Sequence, residues 1–132
     1  MPRVAAFAGR SGSGKTTVIT NLIRRYRELG LTVGAIKHTH HPLNEENRGD
    51  TARFREAGAD PVILAGDSEA VVFGATTTRV KYDDPFELLT LLPTDIIFIE
   101  GFKKYGAWLT LDVDRSLTSD AAALILDRIW PP

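Results

Sequence analysis

The residues best equipped for chemistry stand near the start of the chain. Gly9-Arg10-Ser11-Gly12-Ser13-Gly14-Lys15-Thr16 satisfies the pattern G-x-x-x-x-G-K-[ST] in full. Each part of the pattern has a physical task. Glycines let the backbone turn so that successive N–H groups point inward at phosphate oxygens. A helix opening at the end of the loop adds its own free N–H donors and a partial positive charge. Backbone N–H groups from Ser11 to Thr16 would cradle phosphates, Lys15 would bridge the β- and γ-phosphates of a nucleotide, and the Thr16 hydroxyl would ligate Mg²⁺. Gly9, Ser11, Gly12, Ser13, Gly14, Lys15, Thr16 and Thr17 are therefore the expected nucleotide-binding residues.

Such a site needs an acid for the metal at the carboxyl end of a neighbouring strand. Asp95-Ile96-Ile97-Phe98-Ile99-Glu100-Gly101 offers two, at opposite ends of one apolar run and so about 16 Å apart when extended. Ligands bind beyond the carboxyl ends of parallel strands. Glu100 is accordingly expected to share the metal with Thr16, Asp95 to start the strand, and Gly101 to let the backbone pass close to the γ-phosphate.

All three histidines, His38, His40 and His41, fall within four positions beside Lys37. Contact with an anionic ligand or a partner is the first reading of this cluster, a plain polar loop the second and a metal site the last, although imidazole suits zinc or nickel. Lys37, at a strand end, is expected to reach phosphate. Asp50 has two equal readings, as a helix N-cap or as an acid orienting water or metal across from the glycine-rich loop. Arg53 lies on the same helix face, where a surface arginine is the commoner case. No [NT]-K-x-D element follows Glu100. Val80-Lys81-Tyr82-Asp83 precedes it and lacks the Asn or Thr, while Asp112 and Asp114 are as readily surface acids as readers of a base.

The elements that must hold these residues alternate between strand and helix patterns, which points to an α/β layered domain. Val4–Ala8 reads as a buried strand. Lys15–Leu29 reads as a helix with Val18, Ile19, Leu22, Ile23, Tyr26 and Leu29 on one face and Gly30 at its C-terminus. Strand Thr32–Lys37, a loop over His38–Asn47 and a short helix from about Thr51 to Ala57 follow. Pro61–Ala65 and Ala70–Phe73 form an expected hairpin around Gly66-Asp67-Ser68, with Arg79–Tyr82 as an edge strand. A helix begins at Asp84-Pro85-Phe86-Glu87, Asp84 capping and Glu87 at the capping-box position, and stops at Pro93. Ile96–Ile99 is a central strand and Trp108–Val113 a half-buried one, with Leu109, Leu111 and Val113 on one face and Trp108 on the other. Two apolar sides suit a subunit contact or a buried central strand. Thr118 caps a last helix, about Ser119 to Trp130. Arg24, Arg25 and Arg27 read as a solvated helix face.

With 132 residues, 43% hydrophobic and 25% charged, the chain fits one globular domain rather than a fibre or a disordered tail. A net charge of −1 leaves no global electrostatic footprint for nucleic acid or anionic membrane. The absence of cysteine excludes disulfides and thiolate chemistry. With no signal-like N-terminus and no apolar run of membrane-spanning length, the expected location is cytoplasmic.

Taken in order, the glycine-rich motif, Lys37-His38-x-His40-His41, Asp50-Thr51-Ala52-Arg53 with Ala57-Gly58-Ala59, and Ile99-Glu100-Gly101-Phe102-Lys103 resemble the MobB family, the molybdopterin-guanine dinucleotide biosynthesis adaptor proteins, over residues 3 to 104. The resemblance implies a three-layer P-loop NTPase-like domain with a mainly parallel central sheet and a β-hairpin extension. It implies GTP and Mg²⁺ as ligands, weak GTPase activity, a role beside a molybdenum cofactor nucleotidyltransferase of the MobA kind, a link to molybdopterin, and a homodimer. A compact domain with no recognised base-reading element also suggests a partner, such as a second copy. Lys15, Thr16, Glu100 and Asp50 are the expected catalytic group. Two rivals use the same loop: a small-molecule kinase, which needs an acceptor pocket and usually an arginine-rich lid, and a metallochaperone GTPase built on the histidines.

Overall fold

A computed structural model describes residues 2–10, 12–43, 49–102, 105–106, 108–114 and 116–130. In chain order the elements are β1 (Arg3–Ala8), α1 (Lys15–Glu28), β2 (Val33–His38), α2 (Gly49–Ala57), β3 (Val62–Ala65), β4 (Glu69–Phe73), β5 (Thr77–Lys81), α3 (Phe86–Leu89), β6 (Ile96–Glu100), β7 (Leu109–Asp112) and α4 (Ser119–Ile129). They build a seven-stranded sheet in the order β5-β4-β3-β2-β6-β1-β7. The run from β3 to β7 is parallel, and β4 and β5 extend it as antiparallel strands. A mainly parallel sheet with a hairpin extension is what the resemblance implies, and the strand and helix patterns predict its α/β layering and its hairpin.

Strand periodicity divides the molecule into layers. Successive side chains point to opposite faces, so Ala5 and Phe7, Val33 and Ala35, and Ile96 and Phe98 join one core with α1, α2 and α4. Ala6, Ile36, Ile97 and Ile99 join the other with Leu88, Leu89 and Leu92. The central β6 is buried along its whole length, as a parallel strand covered on both faces must be. The predicted face of α1 is the buried one, except that Leu29 lies past the helix and is exposed. Gly30 closes the helix: its N–H donates to Arg27 O at 3.0 Å while Leu31 N–H donates to Tyr26 O at 3.1 Å, a Schellman pattern. Thr118 caps α4, its hydroxyl oxygen accepting from Ala121 N.

Several local expectations change. The helix expected from Asp84 to Pro93 is only Phe86–Leu89, followed by tight turns in which Thr90, Leu91 and Leu92 each donate three residues back at 3.1 Å. Thr90 Oγ1 also donates to Glu87 O at 2.6 Å, giving the backbone a local alternative to a longer helix. Pro85, not Asp84, holds the N-cap position. Asp84 Oδ1 accepts from Phe86 N at 2.9 Å, and Glu87 reaches back to Asp83 N, so the box is displaced by one residue. Asp50 falls inside the first turn of α2 rather than ahead of it. The arginines of α1 are partly engaged: Arg25 meets Asp127 of α4 at 2.6 Å and Arg24 meets Asn21.

The strand β7 has apolar groups on both sides, as its alternation predicts, but lies at an edge of the sheet rather than in its centre. Leu109, Leu111 and Val113 pack on the α1 side, and Trp108 packs on the opposite side beside Phe102 and Tyr105. Trp108, just before β7, thus has its aromatic neighbours within the chain.

Candidate functional site

The carboxyl ends of β1, β2 and β6 lie side by side. The register pairs Phe7 with Glu100 and Lys37 with Glu100, so the loop after β1 and the end of β2 flank the end of β6. This juxtaposition assembles the site from three distant stretches of chain.

The glycine-rich loop runs from Gly9 into α1. Gly9 can have no side chain, because a Cβ there would stand 2.4 Å from Val113 O. Ser13 N–H donates to Arg10 O at 3.1 Å, closing the turn. Gly14 ends it in a left-handed conformation with φ 95°. Lys15 Nζ donates to Gly9 O at 2.5 Å, folding the ammonium back over the loop. The first turn of α1 carries no acidic residue, so the positive end of its dipole is not cancelled locally. Ser13 Oγ is buried without a hydrogen-bond partner among the described residues. Ser11 lies outside the described residues; Thr17 is exposed at the helix start.

Glu100 is 2% exposed, and its carboxylate is held by partners from two elements. Thr16 Oγ1 donates to Oε1 at 2.7 Å, and the Lys37 ammonium pairs with Oε2. Lys37 also meets Asp50 Oδ2 of α2 at 2.9 Å. Asp50 thus lies in the first turn of α2 with its carboxylate on Lys37, rather than at the cap position. Asp95 sits at the other end of β6, where its carboxylate accepts from Thr32 N at 2.9 Å and Thr32 Oγ1 at 3.0 Å. These bonds hold its carboxyl below the usual range. Arg53 is exposed, and Asp114 closes its own turn by accepting from Ser116.

Strand alternation sends Lys37 to the α1 face and His38 to the opposite one. There the His38 ring stacks on Phe102, centroids 4.1 Å apart and planes at 14°. His38 Nε2 lies 3.0 Å and His40 Nδ1 3.3 Å from Asp67 Oδ1. Burial holds the His38 imidazole below its ordinary value, and the hydrogen bond from His38 holds the Asp67 carboxyl below the usual carboxylate range. His41 does not join this group. Gly101 makes the arrangement possible: at φ 111° its missing Cβ would stand 2.7 Å from His38 Cβ.

Both sets of side chains open on one cavity of about 570 Å³, lined by Lys15, Lys37, His38, His40, Glu100 and Gly101 together with Pro85, Phe102 and Tyr105. Sequence reasoning missed Asp67 and the apolar wall. Asp67 was legible only as a turn residue. Pairing of His38 with Ala65 is the signal that brings that turn beside the histidines.

A mainly parallel sheet with this strand–loop–helix element at its carboxyl edge defines a P-loop NTPase-like fold. The crystal structure of Bacillus subtilis MobB superposes with a TM-score of 0.52 at 27% identity, covering 93% of this chain and 73% of that one. The family described as MobB, molybdopterin guanine dinucleotide synthesis protein B, matches residues 4–126, and the chain belongs to it. Molybdopterin-guanine dinucleotide biosynthesis adapter proteins of Haemophilus influenzae and Escherichia coli are each 37% identical, over 73% and 74% of this chain. A probable one of Bacillus subtilis is 36% identical over 76%. The alignments span 54%, 58% and 59% of those relatives' own lengths.

Proposed function

We propose that the chain binds GTP with Mg²⁺ at the glycine-rich loop, hydrolyses it slowly, and acts as an adaptor in molybdopterin-guanine dinucleotide biosynthesis. The observation that carries the nucleotide reading is the hydrogen bond from the Thr16 hydroxyl to the buried Glu100 carboxylate, with Lys15 folded over the loop beside it. A hydroxyl and a carboxylate are the hard oxygen donors that Mg²⁺ takes alongside phosphate. Thr16 and Glu100 would hold the ion, which when bound neutralises phosphate charge. Ser13 Oγ, buried without a partner among the described residues, is a donor suited to a phosphate oxygen. Lys15 and Lys37 neutralise the phosphates, the N–H groups of the loop from Ser11 to Thr16 orient them, Thr17 and Gly101 flank them, and Asp50 positions Lys37.

Slow turnover follows from the same inventory. Among the described residues the cavity's lining holds no arginine, so charge building on the leaving phosphate would meet lysine and the metal there. The preference for guanine rests on family membership, whose relatives' names carry the guanine dinucleotide. The same kinship supports a molybdenum cofactor nucleotidyltransferase as partner and molybdopterin as the compound served. The proposed location is the cytoplasm, and the described helices include none long and apolar enough to cross a membrane. Leu124, Ile125 and Ile129 are exposed on α4, an apolar face that favours a homodimer, to be read by light scattering.

Calorimetric titration with GTP and ATP tests the site. GTP should bind in the presence of Mg²⁺, more tightly than ATP, and Lys15→Ala should abolish binding with the fold intact. Undiminished GTP affinity in Lys15→Ala would sink the assignment. Co-purification with the nucleotidyltransferase tests the adaptor role separately.

A further inference from the structure

We propose that His38, His40 and Asp67 form a binding site for a divalent transition metal of the zinc class, separate from the Thr16–Glu100 pair. The ligand atoms, His38 Nε2, His40 Nδ1 and an Asp67 oxygen, all lie within 4.8 Å of one another. The two imidazole-to-carboxylate distances are 3.0 and 3.3 Å. A tetrahedral ion with bonds of 2.0–2.1 Å has ligand atoms about 3.3 Å apart. Two sides of the triangle are already close to that length, and closure requires the exposed His40 ring to turn toward the fixed His38 ring.

The backbone behind each ligand is pinned. Thr39 N–H donates to Ala65 O at 2.8 Å, extending the β2–β3 ladder past its end. His41 N–H donates to Thr39 Oγ1 at 3.1 Å, a hydroxyl turn that encloses His40. Gly66 N–H donates to Glu69 O at 2.8 Å, and the Tyr82 hydroxyl donates to Gly66 O, so the turn carrying Asp67 is tied from two directions. The His38 ring is fixed by its stack on Phe102 and by the space that Gly101 leaves. Phe102 itself adopts φ 54°, a left-handed conformation costly for a residue with a bulky side chain. Hydrogen bonds between groups as exposed as His40 at 79% and Asp67 at 72% contribute little to stability. Folding energy alone therefore gives small reason for the convergence.

Two neutral imidazoles and a carboxylate suit zinc, cobalt or nickel better than magnesium. Three protein ligands leave a coordination position open. His38 and His40 also line the cavity that holds Lys15 and Lys37, so the open position is available to water or to a donor atom of a molecule lodged there. His41, which the sequence groups with the other two, has no place in the site.

The test uses the tag-free chain without nucleotide, titrated with Zn²⁺ and with Co²⁺ in excess Mg²⁺, so that it stands or falls independently of GTP binding. One equivalent of metal per chain is expected, with the intense visible absorption of four-coordinate Co²⁺. His40→Ala and Asp67→Ala, both at exposed positions, should each weaken binding more than about tenfold, and His41→Ala should leave it unchanged. Absence of stoichiometric uptake, undiminished affinity in Asp67→Ala, or equal loss in His41→Ala would overturn the proposal.

Discussion

Lys37 holds two acids together. Its ammonium bridges buried Glu100 and half-exposed Asp50, and removing it takes from a desolvated carboxylate its cation while leaving the Thr16 hydroxyl. Lys37→Met should therefore cost about 2 kcal/mol in chemical denaturation, a loss that Glu100→Gln in the same background should partly restore. Gly101 makes a different demand. It needs both a positive φ of 111° and freedom from a Cβ that would press on His38. Gly101→Ala should destabilise the chain by about 1–3 kcal/mol. It should also move the His38 ring off Phe102, seen as a change in the His38 imidazole NMR signals. Roles at this scale were partly legible. Lys15, Thr16 and Glu100 follow from a motif and a strand end. The bond between Lys37 and Asp50 joins residues on different elements, and no local spacing announces it.

At the scale of elements, α1 and α4 are joined by a polar contact at the rim of the core. The Tyr26 hydroxyl donates to Asp127 Oδ1 at 3.0 Å, and Arg25 pairs with Oδ2. Burial first, and then the Asp127 carboxylate, push the Tyr26 hydroxyl up to about 12 from its ordinary 10.0. Above pH 10 the unfolded chain releases this proton while the folded chain retains it. The stabilisation is thus fully present below pH 10 and is lost as pH rises toward 12. Tyr26→Phe should flatten part of the fall in stability over that window, measured by denaturation at stepped pH. Tyr82, also pushed up to about 12 by burial, supplies a further part. Element boundaries were legible where periodicity is long, as in α1. They failed at α3, where Pro85, Pro93 and the Thr90 side chain leave room for a single turn of helix.

For the whole molecule, the cavity draws on the start of α1, the end of β2 with the loop after it, Pro85 before α3, the end of β6 and the segment after it. A ligand bound there ties together elements distant in sequence. Binding that favours only the folded state adds about 2.7 kcal/mol when the ligand stands at a hundred times its dissociation constant. GTP with Mg²⁺ should accordingly raise the thermal midpoint of the wild-type chain in a scanning measurement. Lys15→Ala should show no rise, and Asp67→Ala, which lies off the cavity wall, should retain it.

The amino-acid order by itself determined the glycine-rich loop, the strand that ends in Glu100, and the class of fold, because each is a local pattern of turn residues or apolar period. Only the tertiary structure decided which residues share a site. The parallel register sets Glu100 between Phe7 and Lys37, and strand alternation sends Lys37 and His38 to opposite faces. The pairing of β2 with β3 carries Asp67 to the histidines in place of His41. Such neighbourhoods depend on which strands pair and in what register, and those are properties of the packed sheet rather than of any one stretch of chain.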